Sequence, residues 1–556
     1  MSRFLDPSAA DIAARLSRSS RVSASEPQEE YDVIQTPPSV GPLLKEESLH
    51  PTTSITPWDR RWLGLVVHNV AVGVVSTALP LAVYPFMTCN LNMEGTQTLS
   101  VRMLLALPWV LKPAFLLAMN SLPMFGGFRR RPYVLMGWII AAVALVWICF
   151  ISQPAPFFGD RSLVGVPLQD LSVNQLTMIN HSAPDSGALY VCLMCVATVG
   201  YVLADVAADG LTGEVAQRHI CSESTPHEDK TLLSTLTLYR TAAMLFTFPF
   251  MGVGMSGWDY GGDFDFTLEF TQVMTILGVV AATPLPFVWW TIDETPTDRQ
   301  SFSKNVREVW GMFENQATNY VLACRFIGGV FGGVSSIAVN PVAIYFAGVQ
   351  PLNDNVVSFV AMSAVLFTIA YISKKNWELD YRVVMIASTG VVLFLDCGAT
   401  MFTLWNVVRS QWFWIGLPVM ESIPSVLDYV ILSQLLAELV DPDSEIMMSA
   451  VVTAVSFTAN ALGLTIAKHV DAQFEVSNQD IMTDSTKTRF HLTVIFVLAY
   501  VAQVVSIVCV VTLPRHTSEA REWKKRSSRS TARAIALITL LTLSLLFAVT
   551  VHVLSV

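Results

Sequence analysis

Charge is what this sequence has least of. Asp, Glu, Lys and Arg make up only 14% of its 556 residues, against 53% hydrophobic side chains. A water-soluble globular chain carries about a quarter charged residues, so composition alone excludes that class. A basic excess is also missing. The 34 Lys and Arg are outnumbered by 44 Asp and Glu, for a formal net charge of −10, and no basic cluster is interleaved with aromatic residues, which excludes nucleic acid as a partner. Cysteine is scarce outside apolar runs: the eight are Cys89, Cys149, Cys192, Cys195, Cys221, Cys324, Cys397 and Cys509, and no disulfide framework follows from them. Cys192 and Cys195 have CxxC spacing but no second pair, so they read as packing. Residues 1–57, rich in Ser, Pro and Glu, lack the apolar core of a secretion signal and read as a disordered tail. No cofactor or metal site is expected. The acidic "DPDSE" at 441–445 reads as a solvated helix start.

What the chain does have is long apolar runs, each near the roughly 20 residues that a helix needs to cross about 30 Å of hydrocarbon. They fall near 62–87, 98–120, 132–152, 187–209, 231–254 and 268–290, then near 319–348, 356–373, 383–404, 412–436, 446–470 and 489–513. A thirteenth run, 532–553, follows a basic stretch and either spans the membrane or lies against it. The expected fold is all-α and polytopic: a major facilitator arrangement of two six-helix bundles, with an extra C-terminal hydrophobic helix. The domains so drawn are a cytoplasmic tail 1–57, a bundle 58–290, a cytoplasmic linker 291–318, a second bundle 319–513 and the remainder 514–556. Lys and Arg gather in "FRRRP", "SKKNWELDYR", the linker and "RHTSEAREWKKRSSRS", which puts the amino terminus in the cytoplasm by the positive-inside rule. The loop 153–186, with its sequon at Asn180, is then outside. The plasma membrane is favoured over an organelle membrane.

Ionisable groups at membrane depth are costly, so they face a wet cavity or one another. Here they are Lys112, Asp205, Asp209, Arg240, Arg325, Asp396, Glu421 and Asp428. In a major facilitator layout all but Asp396 lie on cavity-bordering helices, and Asp396 reads as structural. Asp205 and Asp209 share one helix face, and two carboxylates that close can hold a proton between them. Arg240 and Arg325, one in each half, suit a planar carboxylate. Tyr239, Phe326 and Trp109 offer ring surfaces for a flat ligand, although most such aromatics pack or anchor. "GGVFGG", 328–333, reads as close helix packing. Pro108, Pro113, Pro249, Pro341, Pro418 and Pro424 mark kinks or breaks, which transporters tolerate near cavities.

Several motifs are more specific. "LPWVLKPAFLLAMNSLPMFGGFRRRPYVLMGW", 107–138, "LADVAADGLTGEVAQR", 203–218, and "YGGDFDF", 260–266, occur in order. "VQPLND", 349–354, and "DPDSEIMMSAVVTAVSFTANALG", 441–463, follow in the second half. Together they resemble the folate–biopterin transporter family of the major facilitator superfamily, from about Trp58 to Leu513. The resemblance implies twelve core helices and secondary active import of pteridines, folate or biopterin, with protons. It also implies an inner gate at the Arg129, Arg130 and Arg131 cluster, where this chain has Asn120 in place of the family's acidic residue and Leu116 in place of a small one.

The expectation is therefore a transporter, not an enzyme, with pteridine, protons and the lipid bilayer as its partners. Arg240, Arg325, Lys112, Trp109 and Tyr239 would bind substrate, and Asp205 or Asp209 would carry the proton. Lys112 either pairs with Asp205 or meets a substrate carboxylate. Three rivals stand beside this reading: the same fold carrying S-adenosylmethionine, a membrane-embedded metal enzyme built on Asp205 and Asp209, and a scaffold that transports nothing.

Overall fold

The computed structural model describes residues 60–125, 127–164, 166–221, 228–292, 294, 301–374, 380–439, 444–474 and 476–555. The tail 1–57, Asp441 and Asp443 lie outside them, and the side chains of Glu421 and Glu445 are likewise not described. The described residues are nearly all helical. In chain order the main helices are α1 (Arg60–Leu81), α2 (Gly95–Ser121), α3 (Arg131–Ile148), α4 (Ala188–Cys221), α5 (Glu228–Gly254) and α6 (Phe270–Thr291). After α7 (Phe302–Glu314) come α8 (Gln316–Gly332), α9 (Val339–Tyr345), α10 (Pro351–Lys374), α11 (Tyr381–Leu404), α12 (Gln411–Leu439), α13 (Glu445–Asp471) and α14 (Thr486–Val510). Two more close the chain, α15 (Thr517–Arg526) and α16 (Thr531–Val553). Among the described residues, ten helical spans are long and apolar enough to cross a membrane, so this is a multi-pass integral membrane protein.

Helix starts are satisfied locally, as a low-dielectric surround demands. Glu94 and Gln97 form a capping box for α2, Glu269 and Gln272 one for α6, and Asp380 accepts from the first amides of α11. Prolines distort rather than end the helices. Beyond α1, with Pro80 inside it, the chain winds into a π-helix over Val83–Asn90, and α2 tightens to a 3-10 turn over Leu107–Leu111 around Pro108; such segments mark functional hinges.

One correction concerns 319–348, expected as a continuous helix. It breaks between α8 and α9. The freed amide of Ile337 donates to the buried Asp471 carboxylate at 2.8 Å, and Ser336 Oγ takes the amide of Ala338. That compensation makes the break tolerable inside the membrane. The "GGVFGG" glycines pack on two sides: Gly329 and Gly333 face α13, with a Cβ on Gly329 falling 2.8 Å from the Cβ of Ala459, and Gly328 and Gly332 face Ser506 of α14.

Helices α1–α6 enclose the first apolar core; the second set of cores is built on α8–α14 and also takes in residues of α7, α15 and α16 and Leu99 and Met103 of α2, giving the two bundles of the major facilitator fold. At the face bearing the 153–186 loop, hereafter the loop face, the bundles are tied together. Tyr84 donates to Val349 O at 2.9 Å, Tyr345 to Asn92 at 3.1 Å, and the Asn478 amide to Glu94 at 3.0 Å. At the opposite, linker face, α7 buries Met312 and Phe313 and presents Asn305 to Ser121 of α2 at 3.1 Å.

Candidate functional site

The site begins with a close approach of backbones. A Cβ on Gly73 of α1 would stand 2.5 Å from the carbonyl oxygen of Arg240, so only glycine lets α5 come near enough to α1 to aim Arg240 inward. Arg240 then forms an ion pair with Asp205 of α4. The second oxygen of Asp205 is 3.4 Å from Lys112 of α2, and Lys112 is 3.7 Å from Asp209, one helical turn along α4. Asp205 is completely buried, and Arg240 and Lys112 nearly so, whereas the Asp209 side chain is 36% exposed. Two cations and two anions thus balance in a dry pocket that opens at one end, the arrangement that makes buried charge tolerable.

Lys112 also lies over the ring of Trp109, 4.6 Å from its centroid, a cation–π contact. Trp109 is nearly parallel to Phe457 of α13, at 11° and 6.1 Å between centroids. The neighbour of Phe457, Ser456, accepts from Arg325 Nε of α8 at 3.0 Å, and Arg325 pairs with Asp428 of α12. A chain of contacts therefore runs from the charges of one bundle to those of the other, through two aromatic rings at the seam. Arg325 and Asp428 keep 23% and 32% of their side chains exposed.

Of the residues singled out in the sequence, Lys112, Asp205, Asp209, Arg240 and Trp109 are brought together, and Arg325 joins them through Phe457 and Ser456. Tyr239 packs against the first core. Phe326 is 3% exposed within the second bundle's core and offers no face to a ligand. Asp396 stands apart, on α11 beside Tyr500 of α14. Among the described residues, no three His, Cys, Asp or Glu side chains form a group that could hold a metal. His68 was invisible to the sequence reading. It is fully buried in α1, near Arg240, and its Nδ1 accepts from Trp138 Nε1 at 2.9 Å, which leaves the ring proton on Nε2.

The expected gate region carries a second surprise. The Asn120 side-chain oxygen is buried without a hydrogen-bond partner, so position 120 does not hold the basic cluster. The carboxylate comes instead from Glu294, just past α6. Its Oε1 accepts from the amides of Arg129 and Arg130 at 2.8 and 2.9 Å, and its Oε2 from that of Arg131 at 2.8 Å. These are the orphan donors at the start of α3, where the helix dipole favours an anion. The Arg130 guanidinium lies across Gly210, next to Asp209, and a Cβ there would come 2.7 Å from it. Asp209 and the expected gate are thereby neighbours. Replacing Glu294 with Ala is expected to expose the arginine turn and speed tryptic cleavage at Arg129 and Arg130 about tenfold, since cleavage follows the open population; an unchanged rate would show that the carboxylate does not hold the turn.

Comparison with known proteins agrees with this fold. The fold is similar to that of a D-xylose-proton symporter (TM-score 0.54, 12% identity, 82% of this chain and 97% of the other). It is similar also to the nucleoside transporter NupG in its D323A mutant (0.53, 11%, 82% and 99%). A third likeness is to a structure titled for substrate recognition in proton dependent oligopeptide transporters (0.51, 12%, 84% and 99%). At such identities the likeness is one of fold. No curated protein matches the chain significantly. Residues 72–156, which run from α1 through the gate turn and past the end of α3, match the BT1 family. Over that segment the chain is similar to the BT1 family, and its overall fold is like that of the transporters named above.

Proposed function

We propose that the protein is a proton-coupled importer of pteridines, folate or biopterin, working by alternating access in the plasma membrane with its amino terminus in the cytoplasm. The observation that carries this reading is the chain Arg240, Asp205, Lys112, Trp109, Phe457, Ser456, Arg325. It sets two aromatic rings at the seam and a cation in each bundle, the groups that would hold an anionic flat heterocycle once the bundles part. The roles divide by access to water. Asp205 is shut between two cations and organises the cluster, while Asp209 has the exposure that a proton carrier needs. Arg325 pairs in a wetter site than Arg240, so exchanging Asp428 for a substrate carboxylate costs less there. The family match supports the pteridine cargo, and the Lys and Arg of the linker-face loops support the orientation.

The test is uptake of labelled folate and biopterin into vesicles under an imposed pH gradient, with S-adenosylmethionine as competitor. The expected result is gradient-driven accumulation of a pteridine that S-adenosylmethionine does not suppress. Asp209→Asn is expected to cut that accumulation about tenfold while leaving pteridine exchange at zero gradient intact. Transport of S-adenosylmethionine instead would reassign the cargo, and accumulation unaffected by Asp209→Asn would reassign the coupling.

A further inference from the structure

The helix α16 lies outside the two six-helix bundles, and its 23 residues are predominantly apolar. Its buried positions Ser544, Ala548 and His552 recur every fourth residue, so they form one stripe, while Leu543, Leu546 and Val553 are exposed. A stripe ending in a histidine with no exposed surface is not what an inert anchor requires, because an imidazole at membrane depth must find partners.

It finds them on both bundles. His552 Nδ1 is 3.0 Å from Ser100 Oγ of α2, and Nε2 is 3.2 Å from Thr465 Oγ1 of α13. The direction of donation depends on the tautomer, and each tautomer gives up one intrahelical hydroxyl bond, that of Ser100 to Thr96 or that of Thr465 to Ala461. With the imidazole proton on Nε2, the Thr465 hydroxyl keeps its bond to Ala461 O at 2.8 Å and its oxygen accepts from the ring. Nδ1 is then an acceptor and needs the single Ser100 proton, which forgoes Thr96 O at 2.8 Å. The Ser100 oxygen in turn accepts from Lys468 Nζ of α13 at 3.2 Å. One direction of donation therefore runs Lys468, Ser100, His552, Thr465, Ala461, crossing the seam between the bundles twice, and bonds aligned this way reinforce one another. Protonating His552 would remove the acceptor for Ser100 and set an imidazolium beside Lys468, with His469 the other titratable group facing it from α13.

We infer that His552 is a positioning residue of the transport cycle: through Ser100 and Lys468 it latches α2 to α13, and α16 must release this latch before the loop face can open. The inference rests on alternating access but not on the cargo. It joins a closed loop face, because Ser100 lies in the first two turns of α2, next to the Glu94 and Asn92 contacts that tie the bundles there.

The experiment uses the full chain and no substrate, so its outcome is independent of whether pteridines are carried. Asn355 of α10 is buried at the loop-face seam, where a Cβ on Gly252 of α5 would touch its own Cβ. The parent is the Asn355→Cys chain, alkylated with a membrane-impermeant maleimide, and the chain without that substitution gives the background. Adding His552→Leu, which fills the space and breaks the relay, is expected to raise the alkylation rate about tenfold, the shift that about 1.4 kcal/mol produces. Ser100→Ala should raise it similarly, and the double variant should add little to either. His552→Gln, whose amide can both donate to Thr465 and accept from Ser100, should restore a rate near that of the parent. Equal rates in His552→Leu and its parent would overturn the inference, as would a His552→Gln rate as fast as that of His552→Leu.

Discussion

Asp205→Asn is expected to cost about 3–5 kcal/mol of stability and to lower uptake by more than a hundredfold. The reason is stoichiometric. Asp205 is the carboxylate that Arg240 and Lys112 both face, so its loss removes the negative charge held between two buried cations. Removing one partner of a buried ion cluster is far more damaging than its net worth suggests, since the survivor retains its full desolvation cost. The shape of the side chain is kept, so the change tests charge alone. Asp428→Asn is the comparison: its Arg325 partner is 23% exposed and also bonded to Ser456, so water can replace the lost carboxylate and stability should fall by less than half as much. Thermal unfolding in detergent and vesicle uptake measure the two effects. Normal stability and uptake in Asp205→Asn would mean that the buried cluster is not what holds the first bundle's charges in place.

Gly200→Val is expected to prevent the first bundle from assembling. Helices α3 and α4 touch through Gly137 and Gly200, and a Cβ on Gly200 would come 2.6 Å from both the Ala141 amide nitrogen and the Gly137 carbonyl oxygen. Those are backbone atoms of a packed helix, which cannot move aside as a side-chain tip can, so overpacking costs about 3 kcal/mol or more. The consequence reaches the site because α4 carries Asp205 and Asp209. Little monodisperse protein should be recovered. Gly390→Val is the control, since a Cβ on Gly390 of α11 meets nothing within 4 Å; a normal yield from Gly200→Val would show that the two helices are not held at this spacing.

The contrast between these glycines shows where sequence reading stops. Gly200 and Gly390 both sit in apolar helices and look alike as letters. Helix positions were legible because an apolar run of membrane length has few alternatives to a helix, and the apolar runs at 383–404 and 532–553 were found as the helices Tyr381–Leu404 and Thr531–Val553. The break between α8 and α9 was not legible, since its compensating partner, Asp471, lies more than a hundred residues away. The same holds for the gate. A missing acid at Asn120 was visible, but that Glu294 supplies one depends on where the chain after α6 comes to rest beside α3.

By itself the sequence determined that the chain crosses a membrane many times, which runs form its helices, and that costly charges sit among them. Hydrophobic length and the expense of an ion in hydrocarbon are properties of the residues themselves, needing no partner to be evaluated. Only the tertiary structure decided which charges meet: Asp205 between Arg240 and Lys112, Arg325 with Asp428 and Ser456, and His552 bridging α2 and α13. Pairing depends on the approach of helices distant in sequence, to within an ångström, and that approach is set by packing rather than by composition.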